Sequence, residues 1–115
     1  MKIQINTDNN IVGREALANE VSAKVEKALR RFKDYITRVD VHLGDENAGK
    51  SGQHDQRCMI EVRQEGLQPV AATALEPTLP QAVQAALDKV SSLLDTQIGK
   101  LSNVRRIPPP ENVEP

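Results

Sequence analysis

A chain of 115 residues with 38% apolar content is long enough for one domain with a modest core and excludes two large ones. Phe32 and Tyr35 are its only aromatic side chains, so the core must be built from Val, Ile, Leu and Ala, and no aromatic platform for stacking single-stranded bases can form. A formal net charge of -1 and a pI near 6.1 exclude attraction of the whole molecule to polyanions. Any anionic partner has to be met by a patch.

Met1 to Thr7 alternates, with Ile3 and Ile5 on one face and Lys2, Gln4 and Asn6 on the other, the period of a half-buried strand. Asp8, Asn9 and Asn10 turn the chain. From Arg14 to Arg38 the spacing predicts one long helix running into a strand. Leu17, Val21, Val25, Ala28, Leu29 and Phe32 form its apolar stripe, and Lys24, Lys27 and Arg31 recur at i, i+3 and i+7 along one flank, with Arg30 just beyond. Between Lys24 and Arg38, six basic residues (Lys24, Lys27, Arg30, Arg31, Lys33, Arg38) stand against Glu26 and Asp34, a local balance of plus four. Basic residues near a helix C-terminus can simply answer the helix dipole and aid solubility. They can equally form a phosphate-binding patch.

Ile36 to Leu43 alternates again, with Val39, Val41 and Leu43 opposite Arg38, Asp40 and His42. Gly44 to Gln56 has three glycines and no large apolar side chain, so it is expected to be an exposed connection. Its carboxylates Asp45, Glu46 and Asp55 would repel phosphate, so protein or base groups would suit it better than an RNA backbone. Arg57 to Gln64 forms a strand pairing with the previous one, and Glu65 and Gly66 make the next turn. Gln68 to Ala74 predicts a fourth, weaker strand whose Val70, Ala72 and Ala74 are small, with Pro69 marking an edge or a strand start.

Thr78 as N-cap with Pro80 in the first turn opens a second helix, to about Leu101, with the stripe Leu79, Val83, Ala86, Leu87, Val90, Leu94, Ile98 and Leu101. Lys89 and Lys100 lie on one flank of that stripe and Asp88 and Asp95 on the other. From Lys89 to Arg106 four basic residues (Lys89, Lys100, Arg105, Arg106) oppose Asp95 alone, a balance of plus three. Ile107 to Pro115, with three consecutive prolines, cannot continue a helix and is expected to be disordered.

The element order is therefore β-α-β-β-β-α. Two helices with single apolar stripes and strands with one polar face fit a two-layer α+β domain over residues 1–106, both helices packed on one face of a four-stranded, mainly antiparallel sheet. Residues 107–115 form a tail rich in proline and acid.

The segments IQINTDNNIVGREAL, VDVHLGDENAGKSG, RCMIEVR and QAVQAALDKVSSLL together resemble the ribosome hibernation factor family, also called ribosome-associated inhibitor A, hibernation promoting factor or sigma-54 modulation protein. The resemblance covers nearly the whole folded part and contains no catalytic signature. It implies a domain similar to double-stranded RNA-binding domains that sits on the small ribosomal subunit, in the channel of messenger and transfer RNA, and blocks translation under stress. It also implies RNA contacts from basic residues of both helices, and the positions matching in kind are Lys24, Lys27, Arg30, Arg31, Lys33, Lys89 and Lys100. Long members of the family add a C-terminal dimerisation domain; only nine residues follow Arg106, so pairing of ribosomes through such a domain is not expected.

Imidazole, thiolate and carboxylate are metal ligands, which draws attention to His54, Asp55 and Cys58 with Asp45 and Glu46 nearby. Cys58, however, falls on the apolar side of its strand by parity, where a free cysteine is commonly a small buried hydrophobe. No nucleophile-base grouping, paired-carboxylate signature or phosphate-cradling glycine loop is present, so neither an enzyme nor a bound cofactor, metal or small-molecule substrate is expected. The chain opens without an apolar h-region and has no membrane-spanning run, and its lone cysteine allows no internal disulfide, so a cytoplasmic address is expected. The leading expectation is a translation regulator bound to small-subunit RNA through the helix flanks. Two others are a duplex-RNA-binding module acting away from the ribosome and a protein-interaction domain that uses the polar sheet face and the 44–56 loop and binds no nucleic acid.

Overall fold

The computed structural model describes residues 1–8, 14–45 and 56–106, with side chains described for 15–45 and 56–99 of the latter two stretches. The order is β1 (Lys2–Thr7), α1 (Arg14–Leu29), a 3-10 turn (Arg30–Phe32), β2 (Ile36–Asp45), β3 (Gln56–Gln64), β4 (Leu67–Glu76) and α2 (Leu79–Arg106). The four strands form one sheet in the order β1-β2-β3-β4. β1 and β2 are parallel, an arrangement that needs a crossover connection such as α1 provides, and the two hairpin pairings that follow are antiparallel. The expected two-layer α+β arrangement is what forms. Most of the connection between β2 and β3, with Glu46, His54 and Asp55, and the tail 107–115 lie outside the described residues.

Register explains the core. Ile3, Val39, Val62 and Val70 align across the sheet, as do Ile5, Val41, Ile60 and Ala72, and then Leu43, Cys58 and Ala74. All of them face the helices, and Val39, Val41, Cys58, Ile60 and Val62 have no solvent exposure. Against this floor α1 sets Val21, Val25 and Leu29 and α2 sets Val83, Ala86, Leu87, Val90 and Leu94. Small β-branched side chains suit a flat sheet covered by two helices, because they fill the pleats in few rotamers. Phe32 closes the core at the end of α1.

Three features depart from the periodic reading. The predicted long helix stops at Leu29, tightens into the 3-10 turn and reaches β2 through Tyr35, whose carbonyl accepts the Glu65 N–H at 3.1 Å. Ile36 is buried although it lies an odd number of residues from Val39; a bulge at Thr37 makes the difference, and the Thr37 hydroxyl donates to the Arg63 carbonyl at 3.2 Å. The fourth strand is ten residues long and not weak, and it forms the sheet edge that Pro69 allows. Glu65 and Gly66 connect β3 to β4, with Gly66 at φ 75°, a conformation a side-chain-bearing residue rarely adopts.

At the start of α2 the Thr78 hydroxyl accepts the Gln81 N–H at 3.3 Å and donates to the Gln81 side-chain oxygen at 3.0 Å, so the predicted cap is in place. With 28 residues α2 outlasts the predicted end near Leu101. Gln64, next in phase after Val62, is buried as well, and its amide donates to Gln97 of α2 and to the Gln68 carbonyl.

Candidate nucleic-acid interface

The two helices lie side by side on the sheet, α1 over β1 and α2 over β3 and β4. That placement decides which flank of each helix meets which neighbour. Along α1, Lys24, Lys27 and Arg31 point into and along the groove between the helices. Lys24 and Lys27 line a hollow of about 400 Å³ with Ala28, Gln84 and Leu87. Lys24 also borders a smaller cleft, about 160 Å³, whose walls include Leu17, Val21, Leu79 and Val83. The long aliphatic stem of a lysine covers such apolar surface while its ammonium stays in water.

The facing flank of α2 is the acidic one. Gln84 donates to Asp88 at 2.9 Å, and Asp95 accepts both ends of the Arg31 fork, Nη1 at 2.7 Å and Nη2 at 3.0 Å. This pairing holds the Asp95 carboxyl below the usual carboxylate range and raises the Arg31 guanidinium further above its ordinary value. Arg31 also lies over the Phe32 ring, 4.1 Å from its centroid. Arg30 is engaged along its own helix with Glu26 at 3.0 Å. Lys24, Lys27 and Lys33 make no ion pair or hydrogen bond among the described residues, so their charges are available to a ligand.

Lys89 is elsewhere. It sits on the opposite flank of α2, beside the edge strand, where its ammonium donates to the Thr73 carbonyl at 3.0 Å. Lys100 belongs to the same flank by helical phase, and its side chain is outside the described residues. Lys24, Lys27 and Arg31 on one side and Lys89 on the other therefore form two surfaces separated by the width of α2.

The open face of the sheet is polar, as the alternation predicts. Arg38 donates to Asp40 at 2.9 Å and to Gln4 at 2.7 Å, and Arg63 stands 3.7 Å from Glu61. Strand alternation alone could have located this network, but the cross-strand partners depend on the register. Arg38 draws the Asp40 carboxyl down from its ordinary value. Cys58 is buried, and desolvation pushes its thiol up to about 12, which disfavours the reactive thiolate. Among the described residues no group of His, Cys, Asp and Glu could hold a metal, and no helix is long and apolar enough to cross a membrane.

The structure is thus a two-layer α+β domain with a four-stranded mixed sheet, a lysine-bearing helix flank and a polar open face. The model of the Sigma 54 modulation protein / S30EA ribosomal protein family matches residues 3–102, and the chain belongs to that family, a group of ribosome-associated factors without enzymatic activity. Similar solved structures include these two. A ribosomal subunit interface protein from Coxiella burnetii superposes with a TM-score of 0.65 at 17% identity, covering 86% of this chain and 99% of the other. The N-terminal domain of Protein Y from Thermus thermophilus does so with a TM-score of 0.60 at 23% identity, covering 84% and 98%. At these identities the likeness is one of fold. No curated protein sequence matches the chain.

Proposed function

We propose that this protein is a ribosome hibernation factor that binds RNA of the small subunit under stress and so inhibits translation, and that the α1 flank makes the principal contact. Family membership over residues 3–102 is the observation that carries the ribosomal part of this reading. The RNA part is supported by three lysines, Lys24, Lys27 and Lys33, gathered on or just past one helix and unpaired among the described residues, in a chain with a formal net charge of -1. With so little charge overall, attraction to RNA depends on where cations are concentrated. Contact through lysine ammonium groups reads phosphates and shape, which suits an A-form duplex whose major groove is too narrow for side chains. Arg30 and Arg31 extend the same flank and would join it by exchanging their present carboxylate partners for phosphates. Lys89 faces another direction and would serve, with Lys100 of the same helix, a second, weaker contact.

Sedimentation of the purified protein with whole ribosomes and isolated small subunits, at low and moderate salt and with a duplex-RNA competitor, tests the proposal. Pelleting with small subunits despite the competitor is the expected result. Complete release by duplex RNA would replace it with an RNA-binding module acting off the ribosome, and retention in the supernatant at low salt would remove it.

A further inference from the structure

The Arg31 guanidinium is held on two sides. Its two terminal nitrogens donate in parallel to the two oxygens of Asp95, and one face rests on Phe32, which is itself anchored in the core. A guanidinium fork meets a phosphodiester in the same two-point geometry, through the two non-bridging oxygens. The ion pair is no buried tie, since the side chains of Arg31 and Asp95 are 57% and 54% exposed. Exposed pairs of this kind are held weakly enough for a phosphate flanked by further cations to displace them. Those cations are present, because Lys27 and Lys24 precede Arg31 by one and two turns of the same flank.

From this arrangement we infer that Arg31 forms a phosphodiester site occupied by an internal competitor, the Asp95 carboxylate, which an RNA backbone must displace to bind. Asp95 would then set the affinity of the α1 flank downward, and Phe32 would keep the guanidinium in place once the carboxylate has left. The inference rests on the RNA-binding reading proposed above and adds to it a residue on α2 that opposes binding. It also accounts for an acidic side chain held against the most basic stretch of the chain.

The test is binding of a short RNA duplex, followed by fluorescence anisotropy over a series of salt concentrations, for the full-length wild type, Asp95→Asn, Arg31→Gln and the double variant. Thermal melts of all four establish that each is folded. Asp95→Asn is expected to bind about two- to fivefold tighter at low salt, the equivalent of one exposed ion pair. Its log-log salt slope should stay close to that of the wild type, because the Arg31–phosphate contact is made in both complexes and only the competing carboxylate is removed. The gain should vanish in the double variant, because it acts through Arg31. Binding by the wild type with no gain in Asp95→Asn, or with a loss, overturns the inference and leaves the RNA reading standing; a loss would make Asp95 a positioning residue for Arg31. If neither wild type nor Asp95→Asn binds RNA, both the reading and the inference fall.

Discussion

Lys89 on α2 donates its ammonium to the backbone carbonyl of Thr73 on the edge strand β4, 3.0 Å away. This contact turns Lys89 away from the α1 side of α2, and it places a charge at the edge strand of the sheet. A lysine at such an edge discourages pairing with another chain. Nearby Leu75 and Leu93, 51% and 42% exposed, are apolar groups that such pairing would cover.

The separation of the two surfaces leads to a graded expectation for RNA binding. Lys27→Ala and Lys33→Ala should each weaken duplex-RNA or small-subunit binding and lower the log-log salt slope by up to about 0.9. Lys89→Ala should change both by less than either. Anisotropy titrations of the three variants at several salt concentrations provide the comparison, and an effect of Lys89→Ala equal to that of Lys27→Ala would show that both basic surfaces meet the RNA. All three side chains are exposed, so unfolding midpoints should stay close to wild type.

Ile60 lies at the centre of the sheet between Val41 and Ala72 and is wholly buried. Truncation to alanine removes three carbon atoms from a site on the strand that α2 covers and leaves a cavity that the sheet cannot close. Ile60→Ala should therefore cost about 2–5 kcal/mol. Urea unfolding followed by circular dichroism would register this as a lower midpoint with an unchanged slope. A loss below about 1 kcal/mol would mean that the core is looser than the described packing.

Cys58 offers a probe of opening. With the thiol buried and its pKa raised to about 12, the thiolate that reacts with disulfide reagents is nearly absent from the folded protein at pH 8. Labelling in native buffer should be slow, and it should accelerate with urea in step with unfolding. Rapid labelling without denaturant would reveal local opening between β3 and the helices.

Acid should act on the open sheet face through Asp40. Its carboxyl has a folded-state pKa below the ordinary 3.8, chiefly because it accepts hydrogen bonds from Arg38. The unfolded chain therefore takes up the proton first as pH falls, and stability from this pair is complete above 3.8 and is lost as pH drops through the folded value. Asp40→Asn should be less stable than wild type at neutral pH, and the gap should shrink below pH 3.8. Unfolding midpoints of the two proteins measured from pH 7 to pH 2 would show whether the curves converge as expected.

Much of the fold was legible because the chain uses two clean periods. Alternation from Ile3 to Ile5, Val39 to Leu43 and Cys58 to Val62 marked the inner face of the sheet, and the stripe from Leu79 to Ile98 marked the inner face of α2. The exceptions are local geometry that periodicity does not encode. A bulge at Thr37 reverses the parity of Ile36, and a 3-10 turn ends α1 before its basic residues do.

The candidate interface was legible only in part. Helical phase put Lys24, Lys27 and Arg31 on one flank of α1, and Lys89 and Asp95 on opposite flanks of α2, because spacing along one helix fixes angles around its own axis. Which flank of α2 turns towards α1 was decided by the sheet: β4 leads directly into α2, whose apolar stripe must lie on β3 and β4, and α1 occupies the remaining ground above β1. That packing brings Asp95 to Arg31 and Lys89 to Thr73, contacts across 64 and 16 residues of chain. The sequence by itself thus determined the elements, their buried faces and the sign of charge on each flank. Only the tertiary structure decided which charges meet one another and which remain open to a partner, since that depends on how separate helices are set side by side on a common sheet.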